Sequence, residues 1–335
     1  MRRLSQLPSS LYKECFSDEE TLRIVDNIWG AYEDLTNGLE SDLRKVAEGY
    51  LAERCPDRAV PFVSLLAPVL FAEPFGVRDQ DVIIQTGIAG LCFDHFTHLV
   101  DDITDKPGGS DLLSVHLGSL LLARGMAICC ELVSDSGAFV DSWQAYLHEA
   151  SEGERFLWRH RGILKPYRDV DLVMLGRRGS LAKTSAAVFA GVSGRWELLS
   201  QIEDAVNSAA TAIQIVDDYL DWEEDLTGAM FTYPIFLAHG ETKSMDPDSL
   251  QRALVRGESG RTTLELAERL VKKAACRLEG LKASKALSVL QSLSESLSNC
   301  LALMSHFADA SDQQAQSPSD LMDRLRKELQ PRMQH

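Results

Sequence analysis

The fold of this chain is decided by the stretch Gln214-Ile215-Val216-Asp217-Asp218-Tyr219-Leu220-Asp221-Trp222-Glu223-Glu224-Asp225-Leu226-Thr227-Gly228. Side chains one helical turn apart share a face, so Asp217 and Asp221 project together, with Asp218 on their flank. Like charges at that spacing oppose helix formation slightly, and the cluster therefore calls for water, a basic partner or a cation. Oxygen donors suit a hard ion such as Mg²⁺, which keeps several waters and shares its remaining positions with phosphate.

Upstream, Leu99-Val100-Asp101-Asp102-Ile103-Thr104-Asp105 repeats the Asp-Asp-x-x-Asp spacing after the apolar run Ile83 to Phe96. For one cluster alone, a solvated acidic helix end is the plain explanation in so acidic a chain. Two copies, each following a long apolar helical segment, place both acid groups at the mouth of a buried cavity. There they could hold several Mg²⁺ ions around one diphosphate.

These two motifs, with Lys183-Thr184 between them and Gln214 three residues before the second, resemble the trans-isoprenyl diphosphate synthases and their class I terpene synthase relatives. The motifs span roughly Leu51 to Ala238. The resemblance implies an all-α fold, a single large helical bundle of the isoprenoid synthase type with a central apolar cavity. It also implies three Mg²⁺ ions held by Asp101, Asp102, Asp105, Asp217, Asp218 and Asp221, which, with Lys183, form the catalytic set. Lys183, Thr184, Gln214 and Arg58 would contact the substrate, an allylic prenyl diphosphate. Phe96 and Thr97, five and four positions before Asp101, fall where the family limits prenyl length by side-chain bulk. A homodimer is expected on the same ground.

Several positions depart from the chain-elongating pattern. Arg58 and Pro61 match the segment that binds isopentenyl diphosphate, but Asp57 stands in place of its lysine and both glycines are absent. An anion there reverses the local attraction for a diphosphate. After the first acid motif, Lys106-Pro107-Gly108-Gly109 replaces an arginine pair, and after the second, Gly228-Ala229 replaces Gly-Lys. These losses favour a terpene synthase-like lyase, which ionises the diphosphate and cyclises or deprotonates the carbocation. A trans-prenyltransferase using isopentenyl diphosphate is the alternative, and a non-catalytic subunit modulating such a synthase is a third.

Composition narrows the field further. The 335 residues carry a net charge of −16 and no basic stripe, which argues against nucleic acid. Seven scattered cysteines without a Cys-x-x-Cys pair read as core thiols in a reducing compartment. The polar start, Met1 to Glu20, offers no secretory core, and no uninterrupted apolar stretch of spanning length is expected, so the reading is a soluble, cytoplasmic protein without membrane insertion.

Helical periodicity runs through the chain. One segment is expected from Asp18 through Tyr50, a core helix from Val60 to Phe75, and helices over Leu112 to Val133 and Ala138 to Trp158. Gly240 to Gly260 reads as loop-rich, and Thr263 to Ala308 as two helices broken near Ala283-Ser284. The basic cluster Arg155, Arg159, His160, Arg161 and Lys165 reads as a salt-bridged surface rather than an anion guide. The expected division is a helical domain over 1–308 followed, over 309–335, by a polar linker and a short amphipathic helix that is either a dimer contact or a tail.

Overall fold

Apolar side chains at three- and four-residue intervals become helices along the chain in the computed structural model, which describes residues 6–7, 18–54, 60–61, 66–105, 112–308 and 317–329. The first helix, α1 (Glu19–Asn37), starts where the Asp18 carboxylate accepts from the Thr21 amide at 2.7 Å, and it buries Ile24, Val25, Ile28, Trp29 and Tyr32. The expected single segment through Tyr50 is instead two helices. Gly38 ends α1, and α2 (Ser41–Arg54) follows. α3 (Ala67–Phe75) is closed by Gly76 in the left-handed region at φ 71°. The rest of the expected segment from Val60 is the residue pair Val60–Pro61 (β2), antiparallel to Gln6–Leu7 (β1), and residues outside the description.

The remaining helices are α4 (Gln80–Asp105), α5 (Leu112–Leu132), α6 (Ser136–His160), α7 (Asp169–Arg177), α8 (Thr184–Ser193), α9 (Leu199–Leu220) and α10 (Trp222–Thr227). They continue with α11 (Tyr233–Thr242), α12 (Pro247–Arg256), α13 (Glu258–Leu278), α14 (Ser284–Ala308) and α15 (Pro318–Leu329). Short 3₁₀ turns, Ser180–Lys183 and Trp196–Leu198, precede α8 and α9. The chain is all-α, as its periodicity indicates.

Helix α12 corrects the loop expected over Gly240 to Gly260. Asp246 caps it by accepting from the Ser249 amide, Pro247 occupies its first turn, and Leu250, Ala253, Leu254 and Val255 are buried. Its polar outer face hid this stripe from the sequence reading. The helix α15 is no tail, for it packs on α12 and buries Leu321, Met322, Leu325 and Leu329.

The chain forms two compact units. One comprises Met1–Tyr146, Leu181–Glu203 and Gly280–Ala286. Its most extensive pairing is α4 on α5, where Gly125 and Gly118 admit the rings of Phe93 and Phe96. Within this unit α8 is apolar all round and correspondingly sealed, with Ala186, Ala187, Val188, Phe189 and Ala190 fully buried. The other unit comprises Leu147–Ser180, Asp204–Glu279 and Leu287–His335. Leu250, Leu254, Leu264, Val271, Leu297 and Leu325 form its core.

Polar residues interrupt the apolar run of α5 at Ser114, His116, Ser119 and Arg124, in keeping with the expectation of no uninterrupted apolar stretch of spanning length. Among the described residues one helix, α5, is long and apolar enough to cross a membrane by length and composition, with a mean hydropathy of 1.6. Isolated polar residues such as His116 and Arg124 do not lower that mean enough. The helix lines unit one through Leu117, Leu121, Ile128 and Cys129 and leaves Leu112, Val115 and Leu120 exposed.

Candidate functional site

In the second unit the chain carries its acid stretch across the junction of α9 and α10. Helix α9 is amphipathic and buries Ile215, Val216, Tyr219 and Leu220; Asp218, three residues on from Ile215, is buried with them, while Asp217 is half-buried. The regular helix stops at Leu220, yet the hydrogen-bond ladder continues, with the Asp221 amide donating to Asp217 O at 2.9 Å and the Asp225 amide to Asp221 O at 3.0 Å. Asp217, Asp221 and Asp225 therefore follow one another at single-turn spacing. The acidic first turn of α10 suits the positive end of that helix. The guanidinium of Arg326 on α15 donates to the Leu220 carbonyl at 3.1 Å and pairs with Glu223 at 3.2 Å, placing a cation at the negative end of α9.

Asp218 is 5% exposed. Its Oδ1 accepts from Gln214 Nε2 at 2.6 Å, while its Oδ2 is buried and has no hydrogen-bond partner among the described residues. An anionic oxygen left so is costly unless a proton or cation meets it. Burial, with the charge of Asp217 adding to it, pushes the Asp218 carboxyl well above the usual range. Asp225 is raised in the same way, by burial and then by Asp218. For Asp221 burial, followed by Asp217 and Glu224, raises the value to about 6. Tyr167, whose hydroxyl donates to Phe231 O at 3.2 Å, is also raised, by burial and by Asp218 and Asp225. Four carboxylates so close favour a site that takes positive charge.

The donors suit a hard divalent ion, and the orphaned Oδ2 of Asp218 is the atom that fits one. Among the described residues no three His, Cys, Asp or Glu side chains enclose a metal by themselves.

Gln214 does more than border the acid motif. Its Oε1 accepts from Arg178 Nη1 at 2.8 Å, and Arg178 Nε donates to Glu154 at 2.7 Å. Of the basic cluster before α7, Lys165 pairs with Asp171, as does the neighbouring Arg168, while the Arg161 guanidinium lies on the Gly228 carbonyl at 3.0 Å rather than on a carboxylate.

In the first unit, Asp101, Asp102 and Asp105 form the last turn of α4, and their side chains lie outside the described residues, as does Arg58. Phe96 rests against Gly118, and the Thr97 hydroxyl turns back to the Asp94 carbonyl at 2.8 Å. About two turns below the acid motif, Tyr50 donates to Asp94 Oδ2 at 3.2 Å and stacks on His95, whose Nδ1 lies 2.6 Å from the Tyr32 hydroxyl. Lys183 is buried, 1% exposed, with its ammonium 5.4 Å from the centre of the Tyr146 ring, and the Tyr146 hydroxyl donates to Glu203. The buried Thr184 hydroxyl has no hydrogen-bond partner among the described residues.

The structure thus brings Gln214, Asp217, Asp218 and Asp221 together and adds Asp225, Arg178, Arg326 and Tyr167. Asp225 was legible, since it extends the four-residue spacing by one more turn. The other three carry no local signal, because each reaches the acid stretch from another helix or loop.

No protein-family model matches the sequence, and no curated protein matches it. Solved structures do. Geranylgeranyl pyrophosphate synthetase from the archaeon Geoglobus acetivorans is 19% identical with a TM-score of 0.68, over 84% of this chain and 99% of that one. Heptaprenyl diphosphate synthase from Staphylococcus aureus is 15% identical with a TM-score of 0.65, over 83% and 98%. Polyprenyl synthase from Caulobacter crescentus CB15, solved with calcium and isoprenyl diphosphate, is 20% identical with a TM-score of 0.64, over 81% and 94%. The likeness spans nearly the whole of each of those chains, so this protein has the all-α fold of the trans-isoprenyl diphosphate synthases.

Proposed function

We propose that the protein is a Mg²⁺-dependent prenyl diphosphate enzyme that transfers an allylic prenyl group to isopentenyl diphosphate. The observation that carries this reading is the Oδ2 of Asp218, buried and without a hydrogen-bond partner among the described residues, within a single-turn series of carboxylates. The names of three structural neighbours, two prenyl diphosphate synthases and a polyprenyl synthase, favour transfer over the lyase reading.

In this reading Asp217, Asp218 and Asp221, and separately Asp101, Asp102 and Asp105, hold the divalent ions. When bound, the ions stabilise the negative charge of the departing diphosphate. Gln214 orients Asp218, while Lys183 and Thr184 serve diphosphate oxygens. The allylic C–O bond breaks and its electron pair leaves with diphosphate. The carbocation then accepts the double-bond electrons of isopentenyl diphosphate, and loss of a proton from the adduct restores an alkene. Phe96 and Thr97 bound the prenyl tail. The lysine missing after the second motif is matched by Arg161, whose guanidinium already lies on the Gly228 carbonyl.

The lyase remains the second reading, supported by Asp57 where the elongating pattern has a cation. Product analysis separates them. With Mg²⁺ and geranyl, farnesyl or geranylgeranyl diphosphate, transfer gives a longer diphosphate only when isopentenyl diphosphate is added. Hydrocarbon or alcohol from the allylic diphosphate alone would establish the lyase. Altered products only in a mixture with another synthase would establish a modulating subunit.

A second copy of the chain is the proposed partner of α5. Its outward face carries Leu112, Val115 and Leu120 at 68%, 45% and 49% exposure around the small residues Ser119 and Ala123, a surface suited to another helix.

A further inference from the structure

The acid stretch is gripped from behind by a chain of hydrogen bonds that starts on a different helix. Glu154, near the end of α6, accepts from Arg178 Nε at 2.7 Å, and Arg178 Nη1 donates to Gln214 Oε1 at 2.8 Å. Gln214 Nε2 in turn donates to Asp218 Oδ1 at 2.6 Å. The order of donors and acceptors is forced. A guanidinium only donates, so the amide oxygen must face Arg178 and the amide NH₂ must face the carboxylate. Asp218 then has one oxygen committed to Gln214, and the other, Oδ2, remains buried and unpartnered among the described residues.

Three glycines bring the parts this close. A Cβ on Gly176 would lie 2.1 Å from Thr211 Oγ1 and 2.8 Å from Asn207 O, and one on Gly179 would lie 2.8 Å from Ala210 Cβ. A Cβ on Gly153 would lie 2.9 Å from the Arg178 amide nitrogen. Arg178 is therefore wedged between α6 and α9, with its side chain 17% exposed.

We propose that Arg178 is a positioning residue, which by fixing the Gln214 amide holds Asp218 with one oxygen spent and the other turned to a divalent ion. The proposal rests on the reading of Asp218 as a metal ligand. Without Arg178 the amide oxygen loses its anchor, the Gln214 side chain is free to swing away from the carboxylate, and Asp218 is free to turn.

The test is a double-mutant cycle on the full chain, R178M, Q214L and R178M/Q214L. Mg²⁺ affinity in the presence of inorganic diphosphate is measured calorimetrically, alongside thermal melting. Loss of an outer-shell partner is expected to weaken Mg²⁺ about tenfold in R178M, with the double variant no weaker than Q214L alone. Wild-type affinity in R178M would overturn the proposal. So would additive losses in the double variant, which would mean that Arg178 acts through space on the carboxylate rather than through the amide. If R178M fails to fold, Q214E decides: it can still accept from Arg178 but cannot donate to ionised Asp218, so it must lose at least as much affinity, and an unchanged affinity sinks the relay. D218N is the separate check on the underlying reading, because equal Mg²⁺ affinity in D218N and wild type removes Asp218 from the metal site altogether.

Discussion

His95 sits where an imidazole can hardly be charged. It is 1% exposed and stacked on Tyr50 at 3.6 Å, and burial lowers its pKa to about 3, with nearby His98 adding to the effect. A free histidine titrates near 6.5, so between pH 6.5 and 3 the unfolded chain binds a proton that the folded chain refuses. Stability from this group is fully present above pH 6.5 and is lost as the pH falls, by an amount approaching about 5 kcal/mol. The raised carboxyls Asp218, Asp221 and Asp225 work in the opposite sense, since their folded forms hold protons more readily. Denaturant titrations of wild type and His95→Phe isolate the histidine: from pH 7 to pH 5 wild type should lose more stability than the variant, and parallel curves would refute the assignment. For the acid stretch, Asp217→Ala and Asp101→Ala should abolish turnover while far-UV circular dichroism stays unchanged. At this scale the carboxylates were legible because four-residue spacing is a local property of sequence. The partners of His95 were not, for Tyr32 and Tyr50 belong to two earlier helices.

Helices of this chain show what periodicity reveals and what it misses. α9 and α4 were readable from their apolar positions, whereas α12 was hidden by its charged outer face even though Asp246-Pro247 is a sound helix start. The fate of α15 was equally hidden, because an amphipathic stripe does not name the surface that covers it. Its packing predicts that Leu325→Ala, at a fully buried position, costs about 2–5 kcal/mol, read as a lower denaturant midpoint. Arg326→Gln should cost less stability than that and push the Asp221 carboxyl still higher, a shift read by pH titration, since the guanidinium on the Leu220 carbonyl holds that carboxyl down. On α5, Leu120→Glu places a charge on an exposed apolar face. It should halve the mass seen by light scattering without lowering the unfolding midpoint, and an unchanged mass would exclude that face as the dimer contact.

For the molecule as a whole, the class of fold was legible because helical periodicity runs through the chain and its two acid motifs, with Lys183-Thr184 and Gln214, resemble a family of known fold. The balance between lyase and transferase was not, since it was argued from missing cations, and residues distant in sequence can stand beside such positions, as the Arg161 guanidinium lies on the Gly228 carbonyl. Net charge adds a constraint of its own. At −16 the chain repels a diphosphate at long range, so Mg²⁺ complexation of the substrate should speed its capture, and raising monovalent salt at fixed Mg²⁺ should alter kcat/KM more than kcat. The arginine that α15 lends to Leu220 bears on how the protein is handled. A shortened version stopping at residue 308 would resemble a tidy catalytic core on paper, yet it would forfeit the counter-ion under the aspartates and bare the leucines that α15 shelters. A dead enzyme made that way would reveal the loss of a brace, and would say nothing about whether the aspartates can work.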